Sequence, residues 1–503
     1  MLETLQMLFM GFSVATSIEN ILAAALGAIL GILVGAMPGI GSLAGCALLL
    51  PITFKFNPVT AIIMLGAIYY SNMFGGAYSA ILINVPGDSP AIMTALDGYP
   101  LARKGKAGKA LMTANFSSFV GGIIGMIILV FMGPALATLG LKFGPSEMAA
   151  LMLVAMTSIS WLVGENPLKG IAATCLGMMI ATMGVDKISG NMRYDFGNIY
   201  LLGGISFIPL VIGFIGLAQV FELAETRNEK APMPIEEKMD IRSGLLTRKE
   251  FGRIFRPILR SSLLGTFVGF LPGAGATTGS FLGYAMQKKF GKSEEELGTG
   301  AIEGIAASEA ANNAAAAGAF GPLLSLGIPG SGTTAVLLGG LMMWGLNPGP
   351  MLFASEPEFA WGLIASLFIS NLIALFIAMV SIPWMAKIIR IPVGVMIPAI
   401  IAICFVGAYA TTNSMFGVVI MVLGGIIGYL FQKNDYPVAP LLLAYVLSSN
   451  LEINVRRALV ISEGSLSIFF TKPISLVLML VFFIIVLTPM VRGALSKMRT
   501  KQI

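Results

Sequence analysis

Long apolar runs recur along this chain, and they constrain its fold more than any other feature. Five of them, each near the length of about 20 residues at which a helix crosses a bilayer, are 111–132, 147–163, 201–223, 359–382 and 474–491. Only helices and closed barrels span membranes, and the ten-residue alternation of barrel strands is missing. The chain is therefore predicted to be an all-α, polytopic integral membrane protein with about 10–12 transmembrane helices.

Composition supports this class and excludes several functions. The chain is 56% hydrophobic and 11% charged, whereas soluble proteins carry about 25% charged residues. The net charge of +6 is attributed to cytoplasmic loops, so no nucleic-acid binding is predicted. Without histidine, His-based zinc sites, Ser-His triads and histidine proton relays are excluded. Cys46, Cys175 and Cys404 lie in apolar segments without the spacing of a metal site or disulfide framework. We predict no enzyme, no cofactor and no resident metal, and we find no signal peptide in residues 1–20.

One motif occurs twice. The stretch LGILVGAMPGIGSLAG (30–45) matches LGTFVGFLPGAGATTG (264–279) at eight of sixteen positions, including the pattern PGxGxxxG. Each copy is followed by a second apolar run broken at Pro-Gly, in NVPGDSPA (84–91) and GIPGSGTTAV (327–336). The chain is accordingly divided into a first repeat (1–224), a cytoplasmic polar linker (225–260), a second repeat (261–455), and a last part (456–503). That last part comprises an interfacial segment, a final transmembrane helix and a basic cytoplasmic tail.

Charge predicts the orientation of the repeats. Lys and Arg concentrate in cytoplasmic loops. The loop after the first Pro-Gly break carries Arg103, Lys104, Lys106 and Lys109, whereas its counterpart, 341–360, has no basic residue. Matching loops therefore lie on opposite sides, so the repeats have inverted topology, as in many secondary transporters. The two PGxGxxxG segments are predicted to be re-entrant hairpins whose tips meet from opposite faces. For Gly27, Gly31 and Gly35 simple helix packing is the preferred interpretation.

Broken helices at mid-membrane present free N–H groups and a positive dipole end, which suit a carboxylate. Neighbouring hydroxyls can donate to an anion without a buried charge. The predicted substrate-binding residues are Gly39, Gly41, Ser42, Gly273, Gly275, Thr277, Thr278, Ser331, Thr333 and Thr334.

Acidic and amide side chains near the breaks offer oxygens for a coupling cation. The predicted coupling-ion residues are Asn72, Asp88, Glu309 and Asn312, and the sequence does not separate Na⁺ from H⁺. Asp88 has the alternative role of a helix N-cap, and Glu303 and Glu309 could face an aqueous vestibule. Arg456 and Arg457 fall on the outer side, against the charge rule; an interfacial helix, an acidic partner and an error in the topology are all left open.

With these motifs, and with NVRRALVISEGSLSIFFTKPIS (454–475), nearly the whole chain resembles the large membrane subunit of tripartite tricarboxylate transporters, the TctA family. The resemblance implies a permease of the bacterial inner membrane with two partners, a small TctB-like membrane subunit and a periplasmic TctC-like solute-binding protein. It implies import of citrate or a related carboxylate by symport with Na⁺ or H⁺. The absence of a GxxxxGK[ST] loop agrees with transport that is not driven by ATP. An anion channel and a stand-alone carboxylate symporter are the alternatives.

Overall fold

A computed structural model describes residues 2–37, 39–163, 167–186, 188–225, 244–389 and 391–500. Within these residues the regular secondary structure is helical except for a two-stranded antiparallel ribbon, β1 Gly184–Val185 and β2 Met192–Arg193. Eight of the described helical segments are long and apolar enough to cross a membrane, and six shorter apolar helices accompany them. The predicted all-α, polytopic fold class is confirmed.

The helices of the first half are α1 Leu2–Ala15, α2 Ile18–Ala36, α3 Gly41–Thr53, α4 Pro58–Ile83, α5 Ile92–Leu101, α6 Ala107–Gly140, α7 Pro145–Val163, α8 Pro167–Ala181, α9 Phe207–Val211 and α10 Ala218–Glu225. Short 3₁₀ turns form at Ser89–Ala91 and Ile199–Leu201, and π turns at Ala102–Lys106 and Ile212–Leu217.

The helices of the second half are α11 Arg248–Gly269, α12 Gly275–Phe290, α13 Ile302–Gly318, α14 Phe320–Leu326, α15 Gly332–Met343, α16 Leu352–Ser355, α17 Pro357–Ile388, α18 Val393–Thr412, α19 Met415–Lys433, α20 Val438–Ile461, α21 Ile468–Thr471 and α22 Pro473–Thr500.

Both copies of the PGxGxxxG motif break a helix in the same way. Gly39 and Gly41 have φ angles of 89° and 64°, and Gly273 and Gly275 have 83° and 61°. Glycine adopts this left-handed region without steric cost, so the motif specifies one backbone path twice. The helices on either side of each break, α2 with α3 and α11 with α12, pack against each other, as the arms of a hairpin do. Their re-entry from one face of the bilayer stays a prediction.

Glycines on α2 and α11 let these helices lie directly on the backbone of their neighbours. A Cβ added at Gly27, Gly31 or Gly35 would come within 2.5 Å of a carbonyl oxygen of α4. At Gly265 and Gly269 it would lie 2.2 and 2.3 Å from carbonyl oxygens of α13. The packing interpretation of the first three glycines is confirmed, and the same contact recurs in the second half.

Contacts between the halves are reciprocal. Helix α6 of the first half packs on α13 of the second, while α17 of the second packs on α4 of the first. Likewise α20 packs on α7 and α8, and the π turn Ile212–Leu217 packs on α18 and α19. Two repeats related by a two-fold axis would produce this exchange. The inverted orientation of the halves in the membrane remains a prediction that this packing supports.

Two of the predicted boundaries fall inside helices. The second repeat was placed from residue 261, but α11 begins at Arg248, where Thr247 and Glu250 form a capping box. Its buried positions, among them Ile254 and Ile258, follow a helical spacing, so the basic residues between them belong to an amphipathic helix and not to a polar linker. The boundary at residue 456 lies within α20, which continues to Ile461. Most of the remaining linker, 226–243, is outside the described residues.

Candidate functional site

The four helix breaks meet around one cavity of about 240 Å³. Its volume is slightly below the range of about 300–1,000 Å³ typical of drug-sized ligands, which suits a small metabolite. Seven of the ten predicted substrate-binding residues line it, and Gly39, Gly41 and Thr334 do not. The lining residues are Ser42, Leu43, Tyr69, Met73, Asp88, Ser89, Pro90, Gly273, Ala274, Gly275, Ala276, Thr277, Thr278, Ser331, Gly332, Thr333 and Ala439.

Each hairpin tip contacts the Pro-Gly break of its own half. A Cβ on Gly41 would lie 3.1 Å from Asp88 Oδ1, and one on Gly275 would lie 3.1 Å from Ser331 Cβ. Asp88 and Ser331 both follow a Pro-Gly pair directly, so the two contacts are equivalent. Gly39 lies behind the cavity, beside the side-chain amide of Gln219.

Side chains also join the two halves across the cavity. The hydroxyls of Ser42 and Thr333 are 3.1 Å apart. On the other side, Ser280 Oγ donates to the carbonyl oxygen of Pro90 at 2.7 Å. The helix after each tip therefore contacts the broken helix of the opposite half. These contacts hold all four breaks at one point.

Asp88 connects two helix N-termini. Its Oδ1 accepts a hydrogen bond from Ser89 N at 2.8 Å, which is the N-cap of the 3₁₀ turn Ser89–Ala91. Its Oδ2 accepts from Ser42 N at 3.0 Å, in the first turn of α3. The alternative N-cap role is therefore present, and the same carboxylate also satisfies the tip of the first hairpin.

The tip of the second hairpin has no such acceptor. Among the described residues no side chain caps the N-terminus of α12, although this helix begins at the cavity. The hydroxyls of Thr277 and Thr278 face the same space and make no hydrogen bond with another described residue. Ser331, the counterpart of Asp88, instead forms a capping box with Thr334 at the start of α15. Free N–H groups, a dipole end and two hydroxyls are the features that favour an anion at a helix N-terminus.

Glu309, on α13, lies outside the cavity and is fully buried against α5 and α6. Its Oε1 is 2.5 Å from Thr94 Oγ1, and its Oε2 accepts from Ser118 Oγ at 2.8 Å. Asn312 follows one turn later, buried and with neither amide atom hydrogen-bonded to a described residue. Asn72, on α4, is also buried and unbonded. Of the four predicted coupling-ion residues, Asp88 alone lines the cavity.

The vestibule interpretation of Glu303 and Glu309 is wrong. Glu303 is 1% exposed, and Arg253 donates to both of its oxygens at 2.8 and 3.1 Å. Glu309 is 0% exposed. The Ala-rich sequence around them forms a helix packed on four sides, where small residues allow close contact. Sequence reasoning also missed Thr94, Ser118 and Tyr69, since single polar residues in apolar helices carry no local pattern.

A second cavity, of about 310 Å³, lies between the ribbon and α20. Beside it, Arg193 of β2 donates to both oxygens of Glu452 at 3.2 and 2.8 Å and also pairs with Asp186. Arg456 pairs with Asp186 at 2.9 Å. The backbone N–H of Ile188 and the guanidinium of Arg193 hold the pKa of Asp186 well below its usual range. Arg456 thus has acidic partners within this chain, and a contact with an acidic partner protein is not needed to explain it.

One family model and two relatives match this chain. The family model described as "Tripartite tricarboxylate transporter TctA family" matches residues 21–443. An uncharacterized 52.8 kDa protein in the TAR-I ttuC' 3'region of Agrobacterium vitis is 39% identical over 500 residues, which is 99% of each chain. An uncharacterized protein in the TAR-II ttuC' 3'region of the same organism is 40% identical over 232 residues, 46% of this chain and 96% of that one. No solved structure matches.

Proposed function

Because this chain belongs to the tripartite tricarboxylate transporter TctA family, we propose that it is a permease subunit that moves tricarboxylates or related carboxylates through the cavity at the four breaks. Transport is driven by cation symport. The chain works in the bacterial inner membrane with a small TctB-like membrane subunit and a periplasmic TctC-like solute-binding protein.

The observation that carries this proposal is the uncapped N-terminus of α12 at the cavity. The helix dipole places partial positive charge there, and the first N–H groups of a helix have no partner within the helix. Thr277 and Thr278 add two hydroxyl donors at the same wall. A substrate carboxylate would accept hydrogen bonds from both kinds of donor.

The first half shows how a carboxylate binds at such a tip. There Asp88 places its own carboxylate on Ser42 N. In the second half the matching amide is that of Ala276 and the matching side chain is Ser331, whose hydroxyl is too short to replace a carboxylate. The substrate therefore takes in the second half the place that Asp88 takes in the first. Only one tip binds substrate, because the other is neutralised by the protein.

Ser331→Asp tests this arrangement. The new carboxylate should accept from Ala276 N, as Asp88 does from Ser42 N, and should exclude the substrate by occupation and by charge. We expect the affinity of the purified subunit for citrate to fall at least about tenfold, the loss typical of one charged hydrogen bond. Thermal stability should be unchanged. Ser331→Thr keeps the capping hydroxyl and is the matched control.

If Ser331→Asp binds citrate with wild-type affinity, the substrate does not bind at this tip.

Uptake into proteoliposomes distinguishes the proposed symporter subunit from a channel and from a stand-alone symporter. Saturable uptake that requires a cation gradient and the binding protein supports the proposal. Uptake without a gradient indicates a channel, and efficient gradient-driven uptake at low substrate concentration without partners indicates a stand-alone symporter.

A further inference from the structure

We propose that Glu309 is the site of the coupling cation, that this cation is a proton, and that it is held by Thr94 and Ser118 apart from the substrate. The proposal deepens the symport function and rests on it. A proton taken up from the outer side forms the O–H bond of the Glu309 carboxyl group, and that bond breaks when the proton leaves to the inner side. No other bond changes.

The polar contacts around Glu309 can be compared with the number of hydroxyl hydrogens available to form them. The hydroxyl of Ser308 is 3.0 Å from the carbonyl oxygen of Ile305, which can only accept, so Ser308 donates there. Thr94 Oγ1 lies 3.1 Å from Ser308 Oγ and 2.5 Å from Glu309 Oε1. Each hydroxyl has one hydrogen, so Ser308 and Thr94 supply two hydrogens for three contacts. For all three contacts to be hydrogen bonds, the third hydrogen comes from the carboxyl group of Glu309.

A protonated Glu309 completes the chain. Its Oε1–H donates to Thr94 Oγ1, Thr94 donates to Ser308, and Ser308 donates to Ile305, while Glu309 Oε2 accepts from Ser118. An ionised Glu309 would take the hydrogen of Thr94, and the single hydrogen of Ser308 would then have to serve two contacts, with Thr94 and with the carbonyl oxygen of Ile305. The arrangement of hydroxyls therefore fits the neutral acid.

Asp97, one turn after Thr94 on α5, shows the opposite environment. Its Oδ1 accepts from the backbone N–H groups of Gly298, Gly300 and Ala301 at 2.8–3.0 Å. Its Oδ2 accepts from Tyr284 at 2.9 Å. Four donors satisfy an ionised carboxylate. The two buried carboxyl groups of this region, Asp97 and Glu309, thus have different hydrogen-bonding environments.

No cation compensates a charge on Glu309 among the described residues. On α6 the nearest cation along the chain is Lys109, which is paired with Glu250. On α11 it is Arg260, which donates to Gln287. The remaining titratable groups on α13 and the helices packed around it are the basic residues Arg248, Lys249, Arg253, Arg256, Lys288 and Lys289, the acids Asp97 and Glu303, and the tyrosines Tyr69, Tyr70, Tyr78, Tyr99 and Tyr284. None of these described residues is hydrogen-bonded to or paired with Glu309, and Arg253 is paired with Glu303. An isolated carboxylate in a membrane interior is costly, which favours its protonated form or one bound to a cation.

The proton site is linked to the substrate cavity through one short segment. Pro90 lines the cavity and accepts from Ser280 of α12. Thr94 lies four residues later, about 6 Å along a helix, and contacts Glu309. A movement of α12 when substrate binds at its N-terminus would be carried by Pro90 to Thr94, and would change the hydrogen bond that holds the proton.

Glu309→Gln tests the proposal, because glutamine keeps the shape and one donor but cannot release a proton. In the full chain, infrared spectra should show the C=O stretch of a protonated acid that is absent from Glu309→Gln and retained in Asp97→Asn. In proteoliposomes with the partner subunits, Glu309→Gln should lose accumulation of labelled citrate driven by a proton gradient. It should retain exchange of external for internal citrate.

An infrared band that Glu309→Gln leaves unchanged would overturn the proposal, as would normal accumulation by this variant or accumulation driven by a sodium gradient alone. The infrared measurement needs no substrate, so it decides the state of Glu309 even if the chain does not transport citrate. If Glu309→Gln does not insert, Thr94→Val should shift the band and Thr94→Ser should not. An unshifted band in Thr94→Val would then be the contradicting result.

Discussion

At the scale of single residues, the site depends on what is missing from the second tip as much as on what is present. Ser42 N is bonded to Asp88, whereas α12 begins without a side-chain cap. The hydroxyls of Thr277 and Thr278 make no hydrogen bond with another described residue, whereas Thr334 is used in the cap of α15. The predicted substrate residues therefore divide into donors that face the cavity and residues that shape it.

Thr277→Val and Thr278→Val remove one donor each with little change in shape. If each hydroxyl binds the substrate carboxylate, each variant should lose about 1.5–3 kcal/mol of binding free energy, roughly ten- to a hundredfold in affinity. Citrate titration of the purified variants measures this. Thr266→Val is the control, because the Thr266 hydroxyl donates to Ser262 of its own helix, away from the cavity. If both variants bind citrate with wild-type affinity, the substrate does not bind at the N-terminus of α12.

At the scale of helices, the breaks could be predicted and their partners could not. A Pro-Gly pair interrupts a helix locally, so the four breaks could be predicted from the sequence. Glu309 was singled out because it is an acid in an apolar run. Its hydrogen-bond partners Thr94 and Ser118 belong to the other half of the chain, more than 190 residues away. No local sequence pattern connects them to Glu309. The helical start at Arg248 was missed because basic residues obscured an amphipathic spacing.

The direction of each hairpin can be tested by cysteine labelling. If the halves are inverted, cysteines at Lys106 and Lys289 should react with a membrane-impermeant thiol reagent from the cytoplasm. One at Ser355 should react from the periplasm. All three positions are exposed in the structure, so the reagent can reach them. Reaction of positions 106 and 355 from the same side would contradict inverted repeats.

At the scale of the whole molecule, two similar halves build one unequal site. Equivalent helices exchange contacts across the halves, and the four breaks converge on a single cavity. The first half fills its tip with Asp88, and the second tip, which no described side chain caps, is where we propose that the substrate binds. A buried acid, Glu309, lies beside this site and is connected to it through Pro90 and Thr94. The central claim is that the transported carboxylate occupies this cavity.

Substrate protection of a cysteine in the cavity tests that claim most directly. Leu43→Cys places a thiol on the cavity wall without removing a donor. The exposed native Cys175 is replaced by serine, while Cys46 and Cys404 are buried. With the partner subunits present, a carboxylate that the protein transports should slow thiol labelling at position 43 and leave labelling of a surface control, Ser355→Cys, unchanged. A carboxylate that is transported but gives no protection at position 43 would contradict the account.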